Sequence, residues 1–93
     1  MRRMAPSDAW KQAQRGALEI LDLRTRLERR RHGAPPGSRK VSVLRHLLWP
    51  HADGAVYLCQ HANRSKLTGW RGAPEIAGGF TGWIRAGLPI ERP

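Results

Sequence analysis

Cys59 is the only thiol in the chain. It closes an apolar run, Ala55-Val56-Tyr57-Leu58, just before the polar stretch Gln60-His61-Ala62-Asn63-Arg64-Ser65. Such a run reads as a buried strand, so the thiol falls at a strand end. Where a strand turns sharply into a helix, the backbone N–H groups of the turn point inward and form a nest for an anion. A thiol at the base of that nest is favoured as the thiolate, and Arg64 adds a permanent positive charge. This arrangement suits a nucleophile that attacks or carries an anionic group. Outside such a loop, a free cysteine is more often a small buried hydrophobe. A metal site built from Cys59, His61, His51 and His46 has none of the usual ligand spacings.

The elements that position the loop are readable in outline. Pro6 to Gly16 (P-S-D-A-W-K-Q-A-Q-R-G) predicts a helix with Ser7 or Asp8 as N-cap and Gly16 at its end. Residues 17–23, A-L-E-I-L-D-L, are too short for a helix of their own and read as a mostly buried strand. T-R-L-E-R-R-R allows one or two helical turns, and H-G-A-P-P-G-S-R-K is a loop. Val41 to Val43 has strand character, and Leu44, Leu47 and Leu48 have the spacing of a short helix stopped by Pro50. After the cysteine loop, S-K-L-T-G-W-R-G holds about one helical turn. Ala73 to Ala77 predicts a short strand. Phe80, Trp83 and Ile84 mark one face of a last helix, closed by Gly87 and Pro89. Strands alternating with short helices point to a parallel α/β sheet, in which ligands bind beyond the carboxyl ends of the strands.

Three stretches resemble the rhodanese-type sulfurtransferases, in the family's order. Cys59-Gln60-His61-Ala62-Asn63-Arg64-Ser65 is similar to its active-site loop, C-x-x-G-N-R-S. Ile20-Leu21-Asp22-Leu23-Arg24 resembles its strand motif, L-L-D-V-R or L-V-D-V-R. Gly78-Gly79-Phe80-Thr81-Gly82-Trp83, continuing through Ala86-Gly87-Leu88-Pro89-Ile90-Glu91, resembles its closing segment. His32 with Pro36-Gly37-Ser38 is a looser likeness to G-H-I-P-G-A. The resemblance implies a three-layer α/β fold with a central parallel sheet and helices on both faces. It implies a sulfurtransferase in which Cys59 takes a sulfane sulfur from thiosulfate or a similar donor as a persulfide. A thiol, a cyanide ion or an acceptor protein then removes that sulfur. Gln60, His61, Ala62, Asn63, Arg64 and Ser65 would bind the substrate, chiefly through their backbone N–H groups. No metal or organic cofactor is implied.

Cysteine phosphatases with the same fold place five residues between cysteine and arginine, giving a wider cradle for phosphate. Here there are four. The sequence departs from the pattern in three places. Ala62 stands where the family often has Gly, basic Arg29–Arg31 and Gly33-Ala34 alter the approach to Pro36-Gly37, and only twelve residues, Lys66 to Ala77, separate the loop from Gly78-Gly79. Gly69, Gly72 and Pro74 interrupt that segment, so the helix after the loop is expected to be shortened, with Trp70 covering part of the gap. Asp22 and Arg24 are expected to support the fold beside the site.

The chain has 93 residues and is expected to form one domain, 1–93, with a modest core. Its net charge is +10, from 17 Lys+Arg against 7 Asp+Glu. Seven of the basic residues lie between Arg24 and Lys40 beside one acid, Glu28. That charge attracts an anionic partner by long-range steering. No aromatics interleave these arginines, as a single-strand nucleic-acid groove would require, so nucleic acid is the weaker reading. A non-catalytic rhodanese module that binds a partner protein is the other alternative. No stretch approaches the roughly 18 apolar residues of a membrane span. M-R-R-M-A-P-S-D-A-W is followed by no apolar stretch, so no secretory signal is expected. One cysteine and no possible internal disulfide suggest a cytoplasmic protein.

Overall fold

The computed structural model describes residues 3–42, 54–59 and 74–92. They form five strands and three helices. In chain order these are β1 (Arg3–Met4), α1 (Pro6–Gln14), β2 (Glu19–Asp22), α2 (Arg26–His32), β3 (Arg39–Lys40), β4 (Ala55–Leu58), β5 (Glu75–Ile76) and α3 (Gly79–Arg85). The strands make one parallel sheet in the order β1-β5-β4-β2-β3. The expected helix at Leu44–Leu48, the turn after Ser65, Trp70 and the shortened helix all lie outside the described residues.

The central pair explains the apolar runs. β2 and β4 align Ile20 with Val56, Leu21 with Tyr57 and Asp22 with Leu58. Parallel partners share a face and successive residues alternate, so both faces of these strands must be apolar. Ile20, Val56, Leu58 and Ile76 form one core with Ala9 of α1 and Phe80 and Trp83 of α3. Leu21, Leu23, Ala55 and Tyr57 form the core of the opposite face, with Val41 against it. Trp83 is fully buried and meets Trp10 edge-to-face at 5.8 Å, while its indole N–H donates to the Pro89 carbonyl at 2.8 Å. That bond lets a polar ring nitrogen sit in the core at no desolvation loss.

Helix boundaries follow local chemistry. α1 begins one residue before the expected cap: Pro6 occupies the first turn, Ala5 is the N-cap, and no side chain caps the helix. Proline's fixed φ and missing N–H make it the natural first residue. Its far end is as expected. Gly16 adopts φ +74°, and the N–H groups of Gly16 and Ala17 return to the carbonyls of Ala13 and Gln12. α2 is set by a capping box in which Thr25 accepts from the Glu28 N–H and Glu28 accepts from the Thr25 N–H. β3 is Arg39–Lys40, paired with Leu21 and Asp22; of the strand expected at Val41–Val43, Val41 and Ser42 follow β3 without strand structure and Val43 lies outside the described residues. In α3, Phe80 and Trp83 face the core, but Ile84 is 51% exposed. A seven-residue helix covers only a narrow stripe of the sheet, and Leu88 packs beside that stripe.

Gly82 brings α3 against the turn that follows β5. A Cβ there would run into the Ala77 carbonyl oxygen, which is backbone and cannot swing away. Gly82→Ala is therefore expected to destabilise the protein. The helix-propensity gain of about 1 kcal/mol is outweighed by overpacking of about 1–3 kcal/mol with backbone displacement. A lower urea midpoint at unchanged m-value is the expected result.

Candidate active site

The topology itself marks a crevice. From β2 the chain runs outward to β3, whereas from β4 it runs the other way to β5. The carboxyl ends of β2 and β4 are thus neighbours whose connections diverge, which is where open α/β sheets hold ligands. The residues leaving those two ends are Leu23-Arg24 and Cys59. The Leu23 N–H donates to the Leu58 carbonyl at 2.8 Å, continuing the ladder past the strands to the level of the thiol residue.

Cys59 is buried, at 1% exposure. Its backbone is fixed from the other side by α3. The Phe80 N–H donates to the Cys59 carbonyl at 2.8 Å. Gly78, in left-handed conformation at φ +74°, caps α3 and turns the chain to make that bond. The three sequence stretches that resembled one family therefore meet around Cys59: the end of β2, the end of β4, and the Gly78-Gly79-Phe80 turn.

Beneath the crevice lies a buried ionic cluster. Asp22 and Arg24 are both fully buried. Arg24 donates through Nε to Oδ1 of Asp22 at 3.0 Å and through Nη2 to Oδ2 at 2.8 Å, and its backbone N–H also reaches Oδ1. The same Nη2 bonds the Gly33 carbonyl at 2.8 Å, fixing the end of α2. The guanidinium carbon lies over Phe80, 4.0 Å from the ring centroid. Arg29 brings its Nε to 3.2 Å from Asp22 Oδ2 and donates to the Ser38 carbonyl and hydroxyl. One carboxylate thus faces two guanidiniums, leaving an excess positive charge below the carboxyl end of the sheet. Asp22 and Arg24 support the strand end, as their place in the sequence suggested. Sequence reasoning missed Arg29 and Phe80. The Thr25-x-x-Glu28 capping box was the available signal that Arg29 lies on a helix starting at the end of β2.

Of the residues expected to line the loop, the structure describes Cys59. Gln60, His61, Ala62, Asn63, Arg64 and Ser65 lie outside the described residues. Among the described residues, no group of three His, Cys, Asp or Glu is placed to hold a metal, and no helix is long and apolar enough to cross a membrane.

A parallel α/β sheet with a thiol at its switch point defines the structural class, and comparison with known proteins narrows it. No protein-family model matches the chain, and neither does any curated protein. Solved structures do match. A rhodanese-related protein from Thermoplasma volcanium superposes over 100% of this chain and 100% of its own, with a TM-score of 0.78 at 19% identity. The polysulfide-sulfur transferase homodimer of Wolinella succinogenes matches over 97% of this chain and 77% of its own, with a TM-score of 0.70 at 24% identity. A protein of unknown function from Rhodopseudomonas palustris, described as a possible tyrosine phosphatase, matches over 98% and 85% respectively, with a TM-score of 0.80 at 28% identity. This chain has the rhodanese-like α/β fold.

The buried cluster generates a contrast between two acidic residues of the same strand. Asp22→Asn removes the one carboxylate shared by two buried guanidiniums and is expected to cost about 3–5 kcal/mol, much of the total for a small domain. Glu19→Gln breaks the pair with Arg39, whose side chains are 48% and 60% exposed, and is expected to cost under about 1 kcal/mol. Urea unfolding of the two variants, side by side, checks the difference.

Proposed function

We propose that the protein is a sulfurtransferase acting as a single domain, with Cys59 as nucleophile and sulfur carrier. The observation that carries this reading is the place of Cys59. It stands at the carboxyl end of the middle strand, at the switch point, with its backbone fixed by the Phe80 N–H. The likeness to a polysulfide-sulfur transferase and to a rhodanese-related protein supports the same chemistry.

In the first step the Cys59 thiolate attacks the outer sulfur of thiosulfate. A bond forms between Sγ and that sulfur, the sulfur–sulfur bond of the donor breaks, and its electron pair leaves with sulfite. The enzyme holds a persulfide. In the second step a thiol or cyanide attacks the outer sulfur and the Cys59 thiolate is released, so that cyanide leaves as thiocyanate. The N–H groups from Gln60 to Ser65, with the side chains of Gln60, His61 and Asn63, shape the cradle, and Ala62 and Arg64 complete it. The excess positive charge beneath the crevice favours the anionic donor and the departing sulfite. A chain with one thiol and no internal disulfide suits the cytoplasm, where acceptor thiols stay reduced.

The Rhodopseudomonas palustris neighbour gives a second reading, phosphate-ester hydrolysis. The four residues between Cys59 and Arg64 weigh against it, because a tetrahedral phosphate needs the wider five-residue loop.

Incubation with thiosulfate followed by intact-protein mass measurement distinguishes these readings. The expected result is a gain of one sulfur atom, reversed by cyanide and lost in Cys59→Ser. A folded protein with a reduced thiol and no sulfur gain would reject sulfur transfer and leave a module that binds partners. Turnover of an aryl phosphate would favour the phosphatase.

A further inference from the structure

Arg26 and Arg30 of α2 serve no purpose in the chemistry above, and Arg29 enters it only through the charge of the buried cluster. Arg26, Arg29 and Arg30 stand at i, i+3 and i+4, which places their side chains on one face of the helix. Like charges at that spacing weaken a helix unless something neutralises them. Arg29 is committed to Asp22 and Ser38. Among the described residues no carboxylate pairs with Arg26, Arg30 or Lys40. Glu28, the acid within the helix, is occupied at the Thr25 cap.

These four basic side chains, Arg26, Arg29, Arg30 and Lys40, converge on a single cavity of about 490 Å³. Its size is that of a small-molecule site. Its position is also informative. Lys40 aligns with Asp22, and Asp22 with Leu58, so this lining residue stands at the carboxyl ends of the strands, two strand spacings or about 10 Å from the residue that precedes Cys59. Arg29 is held in place at its wall by Asp22 and Ser38, which lowers the entropy lost when a ligand is gripped.

We propose that this cavity binds the phosphate or pyrophosphate group of a phosphorylated small molecule. Guanidinium forks match phosphate oxygens two by two, and three of them with one ammonium suit an anion carrying more than one charge. The cations are gathered in a concavity rather than strung in a stripe, and no aromatic residue lies between Arg24 and Lys40 for a base to stack on. Both features favour a compact ligand over a nucleic-acid strand. The inference does not depend on sulfur transfer, since Cys59 takes no part in the binding.

Titration calorimetry of the full chain with inorganic pyrophosphate tests it, with a single-stranded RNA oligonucleotide as the second titrant. The expected result is saturable one-to-one binding of pyrophosphate, unchanged in Cys59→Ser. Arg30→Gln combined with Lys40→Gln is expected to weaken it by at least about tenfold. Both residues are outside the buried cluster, and a circular dichroism spectrum like that of the parent confirms that the double variant is folded. Three outcomes would overturn the proposal: no saturable binding, binding equally strong in the folded double variant, or RNA bound in preference to pyrophosphate with a steep salt dependence.

Discussion

The rest of the structure depends on one carboxylate shared by two guanidiniums. Asp22 sits at the last position of a strand whose neighbours on both sides are paired to it, in a place where an unpaired charge would be prohibitive. Arg24 supplies the counter-charge from two residues further along, and in doing so bends the chain away from the sheet toward α2. The same guanidinium holds the Gly33 carbonyl and lies over Phe80, whose own N–H holds Cys59. The thiol's backbone is therefore tied to the ionic cluster through one aromatic ring. Hydrophobic burial makes the sheet stable, but this cluster decides the geometry of its carboxyl end.

How much of this was legible in the residues depended on whether a feature is local. β4 was expected at Ala55–Leu58 and is found there, because four consecutive apolar residues fit only a strand buried on both faces. β2 was expected within 17–23, a stretch too short for a helix of its own, and spans Glu19–Asp22. β3 at Arg39–Lys40 was not expected, since a two-residue strand is set by its partner's register and Arg39 and Lys40 carry no apolar signal. The start of α1 was misplaced because Pro6, a starting residue, was passed over in favour of Ser7 and Asp8. Ile84 was placed on one helix face with Phe80 and Trp83 by spacing alone, and spacing cannot show how wide a stripe a short helix buries.

The site was legible as a thiol at a strand end between two other motifs, and those motifs do converge on Cys59. What spacing could not convey is that Phe80 serves two partners at once, or that Arg29 turns inward while Arg26 and Arg30 stay out. Both are facts of tertiary packing, in which residues far apart in the chain choose among several available partners. The basic stretch was read only as a charge that attracts an anionic partner. In the fold it divides into a buried part that organises the sheet and an outer part that frames a cavity.

The two ends of the sheet bear on how the molecule behaves in company. The outermost strands of the described sheet, β1 and β3, are two residues long, and between them they carry Arg3, Arg39 and Lys40. An edge that short offers another chain few backbone groups to template on. The longer strands, β2 and β4, whose apolar residues could seed a cross-β ladder, are the ones flanked on both sides. A small protein with a modest core spends part of its time partly open, and this layout keeps its stickiest segments away from the places where neighbours first touch.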